Sequence, residues 1–199
     1  MRCAARPKSR HSQGRIDYDL SLFTALVADD NAYICSLLKS LMHVIGVGTV
    51  IAVDDGSEAI ETLKKVGEDP LKGGINSIDI VLANWQMTPV DGMLLLKWVR
   101  RHKDSPDKFM PFVMVTGFAD TEHVNEARDL GVSEILGKPY SIQSLTQRLG
   151  QLIERPRQYV LTPSYFGPDR RRRKSESRLA DRRKIKPEEV EIIYDDEIS

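Results

Sequence analysis

The sequence has little cysteine, no long apolar run and no net charge, and each shortage excludes something. Its two cysteines are Cys3, in a polar leader, and Cys35, on an apolar helix face. That contrast argues against a disulfide scaffold and for a reducing compartment. No segment approaches the roughly 18 consecutive apolar residues from which a membrane helix is read, so membrane insertion is not expected. Residues 1–22 contain no apolar core segment, which argues against a secretory leader. Hydrophobic residues make up 41% of the 199 positions and aromatics 7%. That is low for a uniformly packed chain, so part of it should lie outside any core. The expectation is a soluble, cytoplasmic chain of one ordinary domain with extensions, or at most two small domains.

The zero net charge, 29 basic against 29 acidic residues, hides a segregation. Residues 1–15 hold five basic residues (Arg2, Arg6, Lys8, Arg10, Arg15) and no acidic one. Residues 169–186 hold ten basic residues against Asp169, Glu176 and Asp181, a net of +7. Residues 187–199 hold six carboxylates and no base, which leaves the body, residues 16–168, at −6. Self-repelling charge blocks cannot bury enough apolar surface to order themselves. The sequence therefore divides into a basic, disordered leader over 1–21, a packed body over 22–153, and a largely disordered tail over 154–199. Pro156, Pro163 and Pro168 break any long helix in the first part of that tail. Tyr159, Tyr165 and Phe166 are candidates to anchor it on the body.

The body alternates strand and helix. Leu22–Ala28 is an apolar run stopped by Asp29-Asp30, and Ile34, Leu37, Leu38, Leu41 and Ile45 follow at helical spacing before Gly46. Thr49–Val53 is a second strand, and Ala59, Ile60, Leu63 and Val66 mark a second helix. Ile78–Ala83 is a third strand broken at Asn84, with Leu94, Leu95, Trp98 and Val99 as the next inward stripe. Pro111–Thr116 and Ser133–Leu136 are the last strands. Val124, Ala127 and Leu130 mark the fourth helix; Ile142, Leu145, Leu149 and Leu152 mark the fifth, after a Ser141 cap. Strands apolar on both faces, each followed by a helix, imply a parallel sheet covered on both sides. Ligands then bind beyond the carboxyl ends of the strands, where Asp29-Asp30, Asp54-Asp55, Asn84, Thr116 and Gly137-Lys138 stand.

Each of these groups alone has a bland reading: a carboxylate pair as a helix cap, a threonine as a satisfied hydroxyl, a Lys-Pro as a turn. Their order is more specific. Asp29-Asp30, then Asn84-Trp85-Gln86-Met87 with Asp91-Gly92, then Thr116-Gly117, then Lys138-Pro139 twenty-two residues after Thr116, resembles the receiver domain of bacterial response regulators over residues 23–153. The resemblance implies a flavodoxin-like, doubly wound five-stranded parallel sheet of strand order 2-1-3-4-5, with helices on both faces and charged flexible termini. It implies that Asp29 and Asp30 hold Mg2+, a hard cation that takes oxygen ligands, with the Gln86 backbone carbonyl completing the site. Thr116 and Lys138 match the residues that meet a phosphoryl group, and Pro139 is expected to follow a cis peptide bond. Ile135 stands where an aromatic switch residue is often found; a plain strand residue is the alternative.

One departure outweighs the rest. The phosphate-accepting aspartate of the family corresponds to Asn84. A carboxylate attacks phosphorus and forms an acyl phosphate; a neutral amide oxygen is a far poorer nucleophile and gives no such stable product. Losing the charge also removes an attraction of roughly 4 kcal/mol per charge pair at about 4 Å and an effective dielectric of about 20. Any Mg2+ binding is therefore expected to be weak. Met87-Thr88-Pro89, where the family usually has Met-Pro, alters the adjoining turn. Deamidation of Asn84 would restore an acceptor, but the bulky Trp85 slows it. Asp91 fits a turn-to-helix step better than a second nucleophile, and His11, His43, His102 and His123 have no metal-ligand spacing.

The expected function is a stand-alone, degenerate receiver that binds a histidine kinase, a phosphotransfer protein or another regulator without carrying phosphate. The resemblance places its output on the face made by the fourth helix, fifth strand and fifth helix, through which a homodimer could also form. One alternative is a receiver still switched by phosphate through a non-standard acceptor. Another is a receiver scaffold whose basic tail binds nucleic acid. No helix-turn-helix or winged-helix pattern supports specific DNA reading, and a basic stretch alone gives only salt-sensitive, sequence-indifferent association. Arg170, Arg171, Arg172 and Arg173 suit phosphate or carboxylate recognition, with a solvated linker as the bland alternative. The acidic residues 187–199 could fold back over these arginines; deleting them would then strengthen polyanion binding at low salt. An enzyme is not expected, because phosphatases of this architecture need a carboxylate where Asn84 stands.

Overall fold

The computed structural model describes residues 19–68, 77–117, 121–163, 165–170 and 191–193. Strands β1 (Thr24–Ala28), β2 (Thr49–Val53), β3 (Ile80–Asn84), β4 (Phe112–Thr116) and β5 (Glu134–Gly137) alternate with helices α1 (Ala32–Ile45), α2 (Gly56–Glu68), α3 (Gly92–Arg101), α4 (Thr121–Asp129) and α5 (Ile142–Glu154). The strands pair in the order β2-β1-β3-β4-β5, all parallel. This is the expected flavodoxin-like sheet.

Alternation along each strand divides the interior into two cores. Leu26, Ala28, Val81, Ala83, Phe112 and Met114 face one side, under Ala59 and Leu63 of α2, Leu95, Leu96 and Val99 of α3 and Ala127 of α4. Ala25, Val27, Ile80, Leu82, Val113 and Val115 face the other, under Cys35, Leu38 and Met42 of α1 and Leu145 and Leu149 of α5. The ends of the helices are set by local chemistry. The Asn31 side chain accepts hydrogen bonds from the Tyr33 and Ile34 amides, and Gly46 closes α1 at φ 105°. Ser141 caps α5 in a reciprocal box with Ser144.

Several expected boundaries shift. Leu22 is 77% exposed and β1 starts only at Thr24, whereas Leu20, placed in the disordered leader, is 2% exposed. Its carbonyl accepts from Phe23 and Gly48 amides, which seals the lower end of the sheet. Residues 1–18, the rest of that leader, lie outside the described residues. β3 extends through Asn84 instead of breaking before it, and β5 runs one residue later than expected. Leu94 is 52% exposed, so the inward stripe of α3 is Leu95, Leu96 and Val99. β2 is an edge strand with Thr49 and Ala52 exposed, because β1 is its one neighbour in the sheet.

The largest correction concerns the tail. Within the tail, expected to be largely disordered, β6 (Tyr159–Thr162) and β7 (Tyr165–Pro168) pair antiparallel and are joined by β8 (Glu191–Ile193) in a sheet of order β7-β6-β8. The prolines that exclude a helix are compatible with short strands at their ends. Aromatic anchoring is the reason the segment orders. Phe109 meets the rings of Tyr159 and Phe166 at 5.0 and 5.4 Å, both edge-on. The Tyr159 hydroxyl donates to the Phe109 carbonyl at 2.6 Å. Gly131, at φ 91°, lets the Phe166 carbonyl approach to where a side chain would collide with it.

Beneath the hairpin lies Arg100, 1% exposed. Its Nε donates to the Gly131 carbonyl, its Nη1 to the Lys108 and Met110 carbonyls, and its Nη2 to the Ser133 hydroxyl. The guanidinium also lies 5.5 Å from the centroid of the Tyr159 ring. The hairpin is thus fastened at the amino ends of β4 and β5, opposite the crevice.

Candidate functional site

The carboxyl ends of β1, β3, β4 and β5 bring Asp29, Asp30, Asn84, Thr116 and Lys138 together. Asp29 follows β1 and is 1% exposed. Its Oδ1 accepts from the Asn31 amide at 3.0 Å and its Oδ2 from Lys138 Nζ at 2.8 Å. The same ammonium donates to Asn84 Oδ1 at 3.1 Å. The Asn84 amide nitrogen donates to Asp30 Oδ1 at 3.2 Å and to the Gln86 carbonyl at 2.7 Å. One continuous network therefore runs Asp29–Lys138–Asn84–Asp30, with a branch to Gln86. Chemistry fixes the orientation of the amide. Turning it over would set its NH2 against an ammonium and its oxygen against a carboxylate and a carbonyl.

The surroundings hold this network in place. Thr116 is buried, and its carbonyl accepts from the Lys138 amide at 2.6 Å, tying the end of β4 to the turn that carries the lysine. The Lys138–Pro139 peptide is cis, as the resemblance implied, and so is Thr88–Pro89 in the altered turn. Asp91 caps α3, its side chain accepting from the Leu94 amide at 2.8 Å, which is the turn-to-helix role expected of it. Gly92 then admits the Asn84 carbonyl at a distance that a side chain would block. Ile135 is half-buried and faces the cleft between α4 and α5, away from the crevice.

Two neighbours were not read from the sequence as part of the site. The Cys35 thiol donates to the Asp29 carbonyl at 3.2 Å, and burial, reinforced by the Asp29 charge, pushes its pKa up. The Tyr140 hydroxyl is buried without a hydrogen-bond partner among the described residues. Burial first, then the Asp29 charge, raises its pKa to about 12. Only its position directly after Lys138-Pro139 could have signalled it. In the tail, Arg170 meets the Asp129 carboxylate and lies 4.5 Å from the centroid of the Tyr165 ring. Arg171, Arg172 and Arg173 lie outside the described residues.

The oxygens that the resemblance assigns to Mg2+ are of the hard type the ion takes. Two of them, on Asp30 and Gln86, already accept from the Asn84 amide, and Asp29 accepts from Lys138. An amide that donates hydrogens into the place where a cation would be held is the wrong chemistry for that place. As they stand, these residues do not fit the ion.

Comparison with known proteins agrees with this geometry at the level of fold and family. Residues 25–150 match the family described as the response regulator receiver domain. Chemotaxis protein CheY-3 of Vibrio cholerae is 30% identical over 130 residues, which cover 65% of this chain and 91% of that protein. Chemotaxis protein CheY of Pseudomonas aeruginosa is 28% identical, covering 65% and 95% of the two chains. Among solved structures, a putative response regulator from Chloroflexus aurantiacus superposes with a TM-score of 0.57 at 25% identity, covering 67% of this chain and 98% of that one. The receiver domain of the histidine kinase CKI1 from Arabidopsis thaliana, complexed with Mg2+ and BeF3−, gives 0.57 at 22% identity, covering 66% and 91%, and shares the fold. The chain belongs to the response regulator receiver family, the receiving module of two-component phosphorelay signalling.

Proposed function

We propose that this receiver is degenerate: a cytoplasmic protein-interaction module that takes part in two-component signalling without accepting phosphate and without enzymatic activity. The observation that carries this reading is the bonding of Asn84. Its carbonyl oxygen, the only atom of the side chain that could act as a nucleophile, is neutral and accepts from Lys138. Its nitrogen is engaged with Asp30 and Gln86. The ties that would respond to an acyl phosphate in a working receiver are here made at rest by one amide. Asp29, Asp30 and the Gln86 carbonyl would hold Mg2+ only weakly, because the ion would have to displace that amide. Thr116, Lys138 and Pro139 keep the shape of a phosphate-sensing crevice, and Ile135 leaves the switch position without a polar tip. The partner is a histidine kinase, a phosphotransfer protein or another regulator, received by the crevice face or by the α4–β5–α5 face.

The test is incubation with Mg2+ and a small acyl-phosphate donor, followed by intact-mass measurement, for the natural chain and for Asn84→Asp. The natural chain is expected to gain no phosphoryl mass, and the variant to gain one. A stoichiometric gain on the natural chain would overturn the reading in favour of a non-standard acceptor.

A further inference from the structure

We infer that the outer edge of β2 is a docking surface for a second copy of this chain, the two strands adding antiparallel about a two-fold axis to make one continuous sheet. The five-stranded sheet ends in two edges, β2 and β5, and their chemistry differs. β5 carries a carboxylate within its own run. Glu134 is 4% exposed, with its Oε1 3.1 Å from Arg148 and its Oε2 3.5 Å from Arg157. An inward-pointing charge on an edge strand is one of the devices that discourage strand addition. β2 has none of them. Thr49–Val53 holds no charge and no proline, its register with β1 runs without a bulge, and Thr49 and Ala52 are exposed.

Hydrogen bonding defines the open stretch. The Thr49 amide donates to the Phe23 carbonyl and the Val53 carbonyl accepts from the Asp29 amide, so Thr49, Ile51 and Val53 turn their backbone groups toward β1. Val50 and Ala52 turn theirs outward, where no group among the described residues meets them. The stretch is closed at both ends. The Gly48 amide donates to the Leu20 carbonyl at 3.0 Å, and the Asp54 amide donates to Glu58 Oε2 at 3.0 Å. What remains open fits itself. Antiparallel pairing centred on Ile51 sets Val50 of each copy opposite Ala52 of the other. Such a pair exchanges both of its bonds, so the two pairs satisfy every outward amide and carbonyl of both strands. Ile51 meets Ile51 of the other copy at the closely spaced position between them. Asp54 then lies opposite Gly48, so the carboxylates that follow the two strands do not face each other. A contact of one short strand falls below the roughly 800 Å2 per partner of a standard interface, so the dimer is weak and reversible. β2 and β5 are opposite edges, and pairing at β2 leaves the α4–β5–α5 face uncovered. It uses no atom of the Asn84 network and stands apart from the question of phosphate.

The test is sedimentation velocity of the full chain over a concentration series, with amide exchange at Val50 and Ala52 followed across the same series. The natural chain should pass from monomer to dimer, and exchange at both amides should slow about three-fold or more as it does. Ala52→Pro removes an outward amide without touching a bond to β1. Ala52→Lys places a charge on the edge of each copy and serves where the proline variant does not fold. Each variant that keeps the natural circular dichroism should raise the dissociation constant about ten-fold or more. A dimer that neither variant weakens would place the interface elsewhere and overturn the proposal. Amides slowed equally at every concentration would mean that the chain's own residues cover the edge, and would overturn it too. So would a chain that stays monomeric with both amides open, which leaves the edge to a strand of another protein.

Discussion

Lys138 and Arg100 are both cations drawn away from water, and they sit at opposite ends of the same sheet. Lys138, 25% exposed, shares its ammonium between a buried carboxylate and an amide oxygen. Arg100 is almost wholly buried and gives its hydrogens to three carbonyls and a hydroxyl, with the centroid of the Tyr159 ring 5.5 Å away. The first arrangement pairs opposite charges and leaves the ammonium partly exposed, beside the exposed Asp30 and Gln86. The second leaves the guanidinium closed off; its planar fork of donors goes to backbone carbonyls and a hydroxyl. One end of the molecule keeps a partly exposed cation, and the other holds a hairpin in place. The difference lies in the partners each cation is given, not in its charge.

The comparison is broken most severely at Arg100. Arg100→Ala removes four hydrogen bonds, strands two buried carbonyls and a half-buried one, and opens space beneath Tyr159. A loss of about 3–4 kcal/mol is expected, since each buried group left unsatisfied costs about 1–3 kcal/mol. Chemical denaturation would measure it. Arg100→Lys should recover little, because a single ammonium cannot span carbonyls on Lys108, Met110 and Gly131. A loss below about 1 kcal/mol would mean that water replaces the guanidinium and that the hairpin is not fastened there.

The crevice end should respond less to substitution and more to ions. In Asn84→Asp the new carboxylate keeps Lys138 but faces Asp30 and the Gln86 carbonyl without hydrogens to give. Destabilisation of about 1–2 kcal/mol is expected in the absence of metal. Mg2+ should restore it, since an ion that binds only the folded state stabilises by mass action. The natural chain should show little Mg2+ dependence of its denaturation midpoint at the same concentrations. A natural chain stabilised by Mg2+ as strongly as the variant would show that the amide yields its place to the ion.

Most of the crevice was legible from sequence because its residues stand at strand ends, and strand ends are marked by the point where an apolar run meets a polar residue. Asp29, Asn84, Thr116 and Lys138 were located that way. The bonds Asn84 makes were not legible, since they depend on which of its two terminal atoms faces the lysine 54 positions away. The hairpin was missed for a different reason. Its strands are four residues long, with Pro163 between them and Pro168 at the end of the second, and too weakly patterned to register as strands. They order because Phe109, Arg100 and Gly131 offer a surface, and that surface exists only once α3, β4 and β5 have packed. Glu134 was likewise read as an ordinary strand residue; a carboxylate inside a buried run, with arginines 14 and 23 positions later, was the signal available.

Two tyrosines, one from each end, give the mildest test. Tyr140 lies beside the crevice and Tyr165 within the hairpin, and both have pKa values raised to about 12, chiefly by burial. In the unfolded chain a tyrosine ionises near its ordinary value of 10.0. The folded state therefore favours the neutral phenol. Its contribution is complete below about pH 10 and is lost as pH rises toward about 12, so the denaturation midpoint should begin to fall above about pH 10. Tyr140→Phe and Tyr165→Phe should each flatten that fall. At neutral pH the two should differ. The Tyr165 hydroxyl donates to the Pro168 carbonyl at 2.7 Å, so its loss should cost about 1 kcal/mol. The Tyr140 hydroxyl has no such bond among the described residues, so Tyr140→Phe should be neutral or slightly stabilising. Equal costs at neutral pH would place a partner on the Tyr140 hydroxyl and make the crevice end as fully bonded as the hairpin end.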